Sequence, residues 1–201
     1  LCAVALYVGG GILSWWLNPL FFGLIALYVG QNFLYSFGAK EYLFVDLFSI
    51  SAGFVIRAVA GVVLVSVELS PWILLCTFLA ALMLGVSKRW GEGQDVDDPA
   101  AVRTTLNSYS PQTLQFLLGS VATMLLMTYA LYTFFAQSLL MMLTIPFAFY
   151  AVFRFAHLTF SYEGASEPTT LLVDRGLLID FTLWGLVTVV VIYHEQLGVS
   201  L

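Results

Sequence analysis

Residues Leu1–Ala39 read LCAVALYVGGGILSWWLNPLFFGLIALYVGQNFLYSFGA, without one Asp, Glu, Lys or Arg. A second charge-free stretch runs from Thr104 to Phe153. About 20 apolar residues cross a bilayer core as an α-helix. A soluble core does not need charge-free runs of this length, and the runs lack the alternation that barrel strands require. The composition agrees, at 61% hydrophobic and 9% charged residues. The chain therefore reads as an all-α, polytopic membrane helix bundle.

Seven transmembrane helices fit the 201 residues: Leu1–Leu17, Leu20–Phe37, Tyr42–Val65, Trp72–Ser87, Thr113–Phe135, Leu139–Phe160 and Gly176–Tyr193. Breakers fall between them. Asn18-Pro19 makes the first turn, Ser70-Pro71 opens the fourth helix and Ser110-Pro111 precedes the fifth. With these spans, five of the seven basic residues (Lys40, Lys88, Arg89, Arg103 and Arg175) share one side. The positive-inside rule makes that side cytoplasmic. The long loops lie there too, so the polar chemistry is expected to face the cytoplasm. Leu1 is not a start residue, and the chain is expected to be an internal piece of a longer protein.

The remaining charges sort onto helix faces. Asp46, Ser49, Gly53, Arg57 and Gly61 recur every three or four residues and share one face of the third helix. Asp46 stands near its cytoplasmic end, as a cap, as a structural partner of Lys40, or facing a cavity. Arg57 lies eleven residues, about 16 Å, deeper. It is too deep for a cytoplasmic substrate and reads as a hydrogen-bonding hub. Gly53 and Gly61 read as close-packing positions. The loop after the fourth helix begins Ser87-Lys-Arg-Trp-Gly-Glu92 and continues through Asp95, Asp97 and Asp98. Bases there can be topology anchors. Carboxylates interleaved with Lys and Arg are also what a magnesium–diphosphate site needs. Tyr150, Arg154, His157 and Ser161 form a further polar stripe. Arg154 and Asp180 are expected at equal depth on neighbouring helices, as an ion pair.

Other chemistries find no support. No basic stripe suggests nucleic-acid binding. Cys2 and Cys76 sit in apolar runs with no His or Cys at metal-ligand spacing. No nucleophile triad, phosphate loop or zinc motif is present.

Four stretches, in order, match a known pattern. They are Tyr35-Ser-x-Gly-x-Lys40-x-x-x-x-x-Asp46; Ser51-Ala-Gly53-Phe-Val-Ile-Arg57-Ala-Val-Ala-Gly61; Lys88-Arg89-x-x-Glu92 with Arg103-x-x-Leu-x-x-Tyr109; and Glu167-Pro-x-x-x-Leu-x-x-Asp174-Arg175. In these the chain resembles the UbiA superfamily of intramembrane prenyltransferases, and within it the branch that transfers phosphoribose to polyprenyl phosphates. The resemblance implies nine helices around a central cavity, of which this chain would supply seven. Residues 1–201 would form a single, N-terminally truncated UbiA-like domain. An Asp-rich motif, Asn-Asp-x-x-Asp-x-x-x-Asp, is expected before Leu1.

The resemblance further implies an enzyme of bacterial cell wall biosynthesis, a multi-pass protein of the plasma membrane. It would transfer 5-phosphoribose from phosphoribosyl diphosphate to a polyprenyl phosphate with Mg2+, releasing diphosphate. Lys40, Lys88, Arg89 and Arg103 would clamp phosphates, with Tyr35 and Tyr109 also binding substrate. Asp46 and Glu92 would be the catalytic acids, holding metal or donor hydroxyls. An aromatic-acceptor prenyltransferase is the alternative if Asp95 and Asp98 hold the metal instead. A transporter would need polar groups through both faces of the bundle, and the outer half has almost none.

Overall fold

The computed structural model describes residues 2–94, 109–135, 139–161 and 174–196. Every regular element among them is helical. There are seven long helices: α1 (Cys2–Leu17), α2 (Pro19–Phe37), α3 (Val45–Val65), α4 (Pro71–Gln94), α5 (Pro111–Phe135), α6 (Ile145–Ser161) and α7 (Arg175–Gln196). Two short 3-10 turns, Ala39–Glu41 and Leu139–Thr144, precede α3 and α6. Six of the seven helical spans are long and apolar enough to cross a membrane; α1, at 16 residues, is shorter. The all-helical membrane bundle expected from the sequence is what the chain forms.

Local chemistry explains the boundaries. Asn18 caps α2, its Oδ1 accepting from the Leu20 and Phe21 amides at 2.8 and 3.4 Å, and Pro19 follows where no amide hydrogen is needed. Across this turn Trp15 meets Phe22 edge-on. The expected sixth helix splits. Leu139–Thr144 is a 3-10 turn, and the α-helix begins at Ile145 because Pro146 fits only a first turn. The fourth helix is longer than expected. It runs on through Lys88 and Glu92 to Gln94, because these are good helix formers and Arg89 pairs with Glu92 one turn on.

Successive helices pack as neighbours, and α4 also meets α6. The core lies between α3 and α6. Leu47, Leu82, Val86, Leu118, Leu126 and Phe155 belong to one buried cluster. Two glycines set the spacing of α3. A Cβ on Gly85 would stand 3.1 Å from Leu47 Cδ2, so α4 approaches α3 closely there. A Cβ on Gly53 would meet Gln31 Oε1 at 3.0 Å, and Gln31 donates from α2 to Ser49 Oγ at 3.1 Å and to the Ser49 carbonyl. Gly53 is therefore the packing position the sequence suggested. Gly61 has open space around it among the described residues. The outward surface is apolar, with Trp16 87% and Phe37 84% exposed, as befits a bundle solvated by lipid.

The ion pairs among the described residues gather at one end. Asp46 at the start of α3 meets Arg89 near the end of α4. Ser87 bonds Thr159 of α6 at 2.9 Å, and Trp90 packs edge-on against Phe160. Arg154 reaches Asp174 at the start of α7. Hereafter this is the charged end.

Candidate active site

Asp46 is the centre of the charged end and is 0% exposed. Its Oδ2 accepts from Arg89 Nε at 2.9 Å, and its Oδ1 from the Tyr109 hydroxyl at 2.9 Å. The guanidinium of Arg89, 1% exposed, also donates through Nη1 to Glu92, which is 21% exposed. A buried carboxylate and guanidinium are tolerable only when paired and hydrogen-bonded, and here both conditions hold. Of the roles open to Asp46, the structure gives it a buried structural one, with Arg89 in place of Lys40 as its partner. The two helices are joined by the short turn at 66–70, so they run antiparallel and their charged ends meet.

Tyr109 ties a third element to this pair. Its hydroxyl accepts the Phe44 amide hydrogen at 2.8 Å while donating to Asp46, and its ring packs edge-on against Phe44. Phe44 has φ 65°, a left-handed conformation that costs a bulky residue strain. The hydrogen bond it donates to Tyr109 holds it there, just before α3 begins. Burial, together with the bond to Asp46, pushes the Tyr109 hydroxyl well above the usual phenol range, so it stays a neutral donor.

The other expected site residues lie around this frame. Lys88 is exposed and carries no ion pair among the described residues. Lys40 is half-buried in the turn before α3, and Tyr35, half-buried near the end of α2, is within electrostatic reach of Arg89. Arg103, Asp95, Asp98, Glu163 and Glu167 lie outside the described residues.

A second polar group corrects an expectation. Arg154 does not pair with Asp180. It holds Asp174, Nη2 to Oδ2 at 2.8 Å and Nε to Oδ1 at 3.3 Å. The same Oδ1 accepts the Leu177 amide at 2.9 Å, capping α7. The arginine and this amide hold the Asp174 carboxyl below the usual carboxylate range. Equal depth requires helix ends that are level. They are not: α7 starts beside Arg154, seven residues or about 10 Å short of the α6 end. Asp180 is consequently deeper and buried, with Oδ2 lacking a hydrogen-bond partner among the described residues. His157 is exposed, its ring nitrogen 3.3 Å from Ser161 Oγ. Arg57 lies over the Phe54 ring at 4.2 Å and the Tyr28 ring at 5.4 Å, lining a small recess between α2 and α3.

Beneath the charged end, α4, α5, α6 and α7 line a half-open cavity of about 440 Å3 with an almost wholly apolar lining. Sequence periodicity did not reveal it, since cavity-lining and core residues are equally apolar.

A magnesium ion is not accommodated by the described carboxylates. Both oxygens of Asp46 are engaged and shielded, Glu92 is bound to Arg89, and no cluster of three metal-ligating side chains exists among the described residues. A magnesium site needs several open oxygen ligands.

Comparison with known proteins agrees with the resemblance seen in the motifs. The chain is 32% identical over 192 residues to the decaprenyl-phosphate phosphoribosyltransferase of Mycolicibacterium smegmatis, covering 89% of this chain and 60% of that protein. It is 30% identical over 178 residues to the protein of that name from Corynebacterium glutamicum, covering 85% and 53%. For the Mycobacterium tuberculosis protein of the same name the identity is 31% over 179 residues, covering 85% and 58%. No family model matches the chain. The chain thus spans between about half and three-fifths of the length of these relatives. Over that shared length it resembles the phosphoribosyl-transferring branch of the UbiA superfamily.

Proposed function

We propose that the protein containing this chain transfers 5-phosphoribose from phosphoribosyl diphosphate to a polyprenyl phosphate. The bond from ribose C1 to the diphosphate oxygen breaks, diphosphate leaves with the electron pair, and an oxygen of the lipid phosphate bonds to C1. The acceptor oxygen is already anionic, so the reaction needs no strong general base. The difficulty lies in holding two polyanions together and in stabilising charge on the leaving group. The observation that carries this reading is the charged end itself: an exposed Lys88 and a half-buried Lys40 stand beside a fully satisfied buried frame of Asp46, Arg89 and Tyr109. The relatives' shared name supports a polyprenyl phosphate acceptor and a phosphoribosyl group; the diphosphate donor follows from the family resemblance.

In this reading Lys88, Lys40 and Arg103 attract the donor phosphates, with Tyr35 beside them. Asp46 acts through Arg89, fixing its guanidinium so that the α4 end presents Lys88 and Glu92 in one orientation. Glu92, the more accessible carboxylate, is placed to accept from donor hydroxyls. Residues 1–201 belong to a single UbiA-type domain, and the charged end faces the bacterial cytoplasm, as the distribution of Lys and Arg favours. Magnesium, if the reaction uses it, is held by other acidic residues, such as the Asp-rich motif that the family resemblance implies. No step here is routed through it.

A radiolabelled-donor assay on membranes holding the full-length protein tests the reading. Lys88→Ala is expected to lose most transfer at equal expression, since removing one charge of a pair that becomes buried when the donor phosphate binds costs roughly 2–5 kcal/mol. Wild-type rates would make Lys88 a topology anchor and remove the main support for a donor site here.

A further inference from the structure

The cavity beneath the charged end has a constructed floor. Its α6 lining runs from Phe155 down to Ala148, about 10 Å of helix. Thr144 stands one turn beyond Ala148 and is fully buried. Tyr129 from α5 and Trp184 from α7 line the cavity at this level and meet edge-on, their ring centroids 5.3 Å apart. Their polar atoms form one directed chain. Trp184 Nε1 donates to the Tyr129 hydroxyl at 3.0 Å, and that hydroxyl lies 2.6 Å from Thr144 Oγ1. Thr144 Oγ1 donates to the Met141 carbonyl at 2.6 Å. Because the threonine proton is used there, the tyrosine is the donor in the middle bond. Every polar hydrogen of the chain is thereby spent within it, and the two rings are latched across the cavity end.

The upper rim is close to the proposed chemistry. Leu84 lines the cavity and lies five residues, about 7.5 Å along α4, from Arg89. An apolar cavity whose lining reaches to within about 7.5 Å of a phosphate-handling end suits one kind of occupant, a hydrocarbon attached to an anionic head. At ~30 Å3 for each water-sized group, the volume admits about 15 heavy atoms, or three C5 units. A longer tail has to bend out of the bundle into the surrounding lipid.

We infer that Tyr129 and Trp184, latched to Thr144, are specificity-determining residues that limit how many C5 units of the acceptor tail are held inside the bundle. This rests on the proposed polyprenyl phosphate acceptor. Tail binding should strengthen with each unit up to about three and then level off.

The test separates binding from transfer. Cys76 lines the same cavity, so its alkylation by N-ethylmaleimide reports occupancy. The full-length protein in nanodiscs is incubated, without donor, with polyprenyl phosphates of two to six C5 units, and peptide mass spectrometry reads Cys76 labelling. In the wild type, protection is expected to rise to about three units and then stay constant. Trp184→Ala should move that plateau by roughly one unit toward longer tails. Tyr129→Phe, which removes one hydroxyl and keeps the ring, should loosen the floor and blur the plateau, and it decides the matter should Trp184→Ala fail to fold. Protection that keeps growing to six units in the wild type, or a plateau unmoved in both variants, overturns the inference. So does phosphoribose transfer without protection by any tail. Length-limited protection with no transfer from any donor would instead sustain the tail floor while refuting the proposed reaction.

Discussion

Replacing Arg89 by Met removes the cation from the best-defined feature of the charged end while keeping much of its bulk. Asp46 would then retain only the Tyr109 hydroxyl, at 2.9 Å, and no access to water. Breaking a buried ion pair from one side costs about 3–5 kcal/mol, because the remaining charge is uncompensated. Coulomb's law gives a similar size, about 4 kcal/mol for unit charges 4 Å apart at an effective dielectric constant of 20. Part of the cost is avoided if the orphaned carboxyl takes up a proton, so about 3 kcal/mol is the expected loss. Changing Asp46 to Asn in the same protein neutralises the orphan. The double variant Asp46→Asn, Arg89→Met should therefore be more stable than Arg89→Met alone, with a coupling of at least about 2 kcal/mol. Unfolding of the full-length protein in detergent micelles, followed by helical circular dichroism, measures the cycle. Losses that add within about 0.5 kcal/mol would mean that the two residues do not act as a unit. Normal stability of Arg89→Met with abolished transfer would make Arg89 a substrate clamp and not part of the frame.

Three further outcomes are expected. Gly85→Val should destabilise the bundle by about 1–3 kcal/mol by forcing α4 off Leu47, and Gly85→Ala by less, read by the same unfolding assay. Asp174 has a lowered pKa in the folded protein, so its contribution is complete above the ordinary value of 3.8 and is lost as pH falls from there through the lower folded value; Asp174→Asn should flatten the stability profile in that acid range. Tyr109 has a raised pKa, so its contribution is complete below the ordinary value of 10.0 and is lost as pH rises above it; Tyr109→Phe should be less stable at neutral pH yet lack that alkaline decline.

What the sequence disclosed follows the range of each interaction. Helix existence is a local property of apolar runs and breakers, so Asn18-Pro19 and the proline at 111 marked their boundaries well. The charged end of α4 departs from the expectation because a membrane span and a helix need not share one limit. Leaving the hydrocarbon ends the need for apolar residues but not the helix, and Lys88 to Gln94 continue it. The meeting of Asp46 with Arg89 was legible only as a neighbourhood: antiparallel α3 and α4 had to bring their charged ends together. Which cation would claim the carboxylate depended on an arginine reaching inward, and the sequence left Lys40, a cap and a cavity all open to Asp46.

The vertical offset of α7 shows the same limit more sharply. Helix length fixes how far a residue lies from its own end, but nothing in a single helix states where that end sits against its neighbour. The Arg154–Asp174 pair supplies that value by placing the α7 start beside the middle of α6. One consequence is to bury Asp180 deeper than any level count allows. Another is to bring Trp184 level with Thr144, so that residues from three separate helical segments close one cavity. The polar contact at the charged end and the apolar floor beneath it are therefore coupled through the position of a single helix. A variant that frees Asp174 from Arg154 should let α7 slide and weaken the floor as well as the cap. Arg154→Gln is accordingly expected to increase Cys76 labelling by N-ethylmaleimide in the protein without ligand, even though Arg154 does not line the cavity. Labelling equal to that of the wild type would show that α7 is held in register by its apolar packing alone.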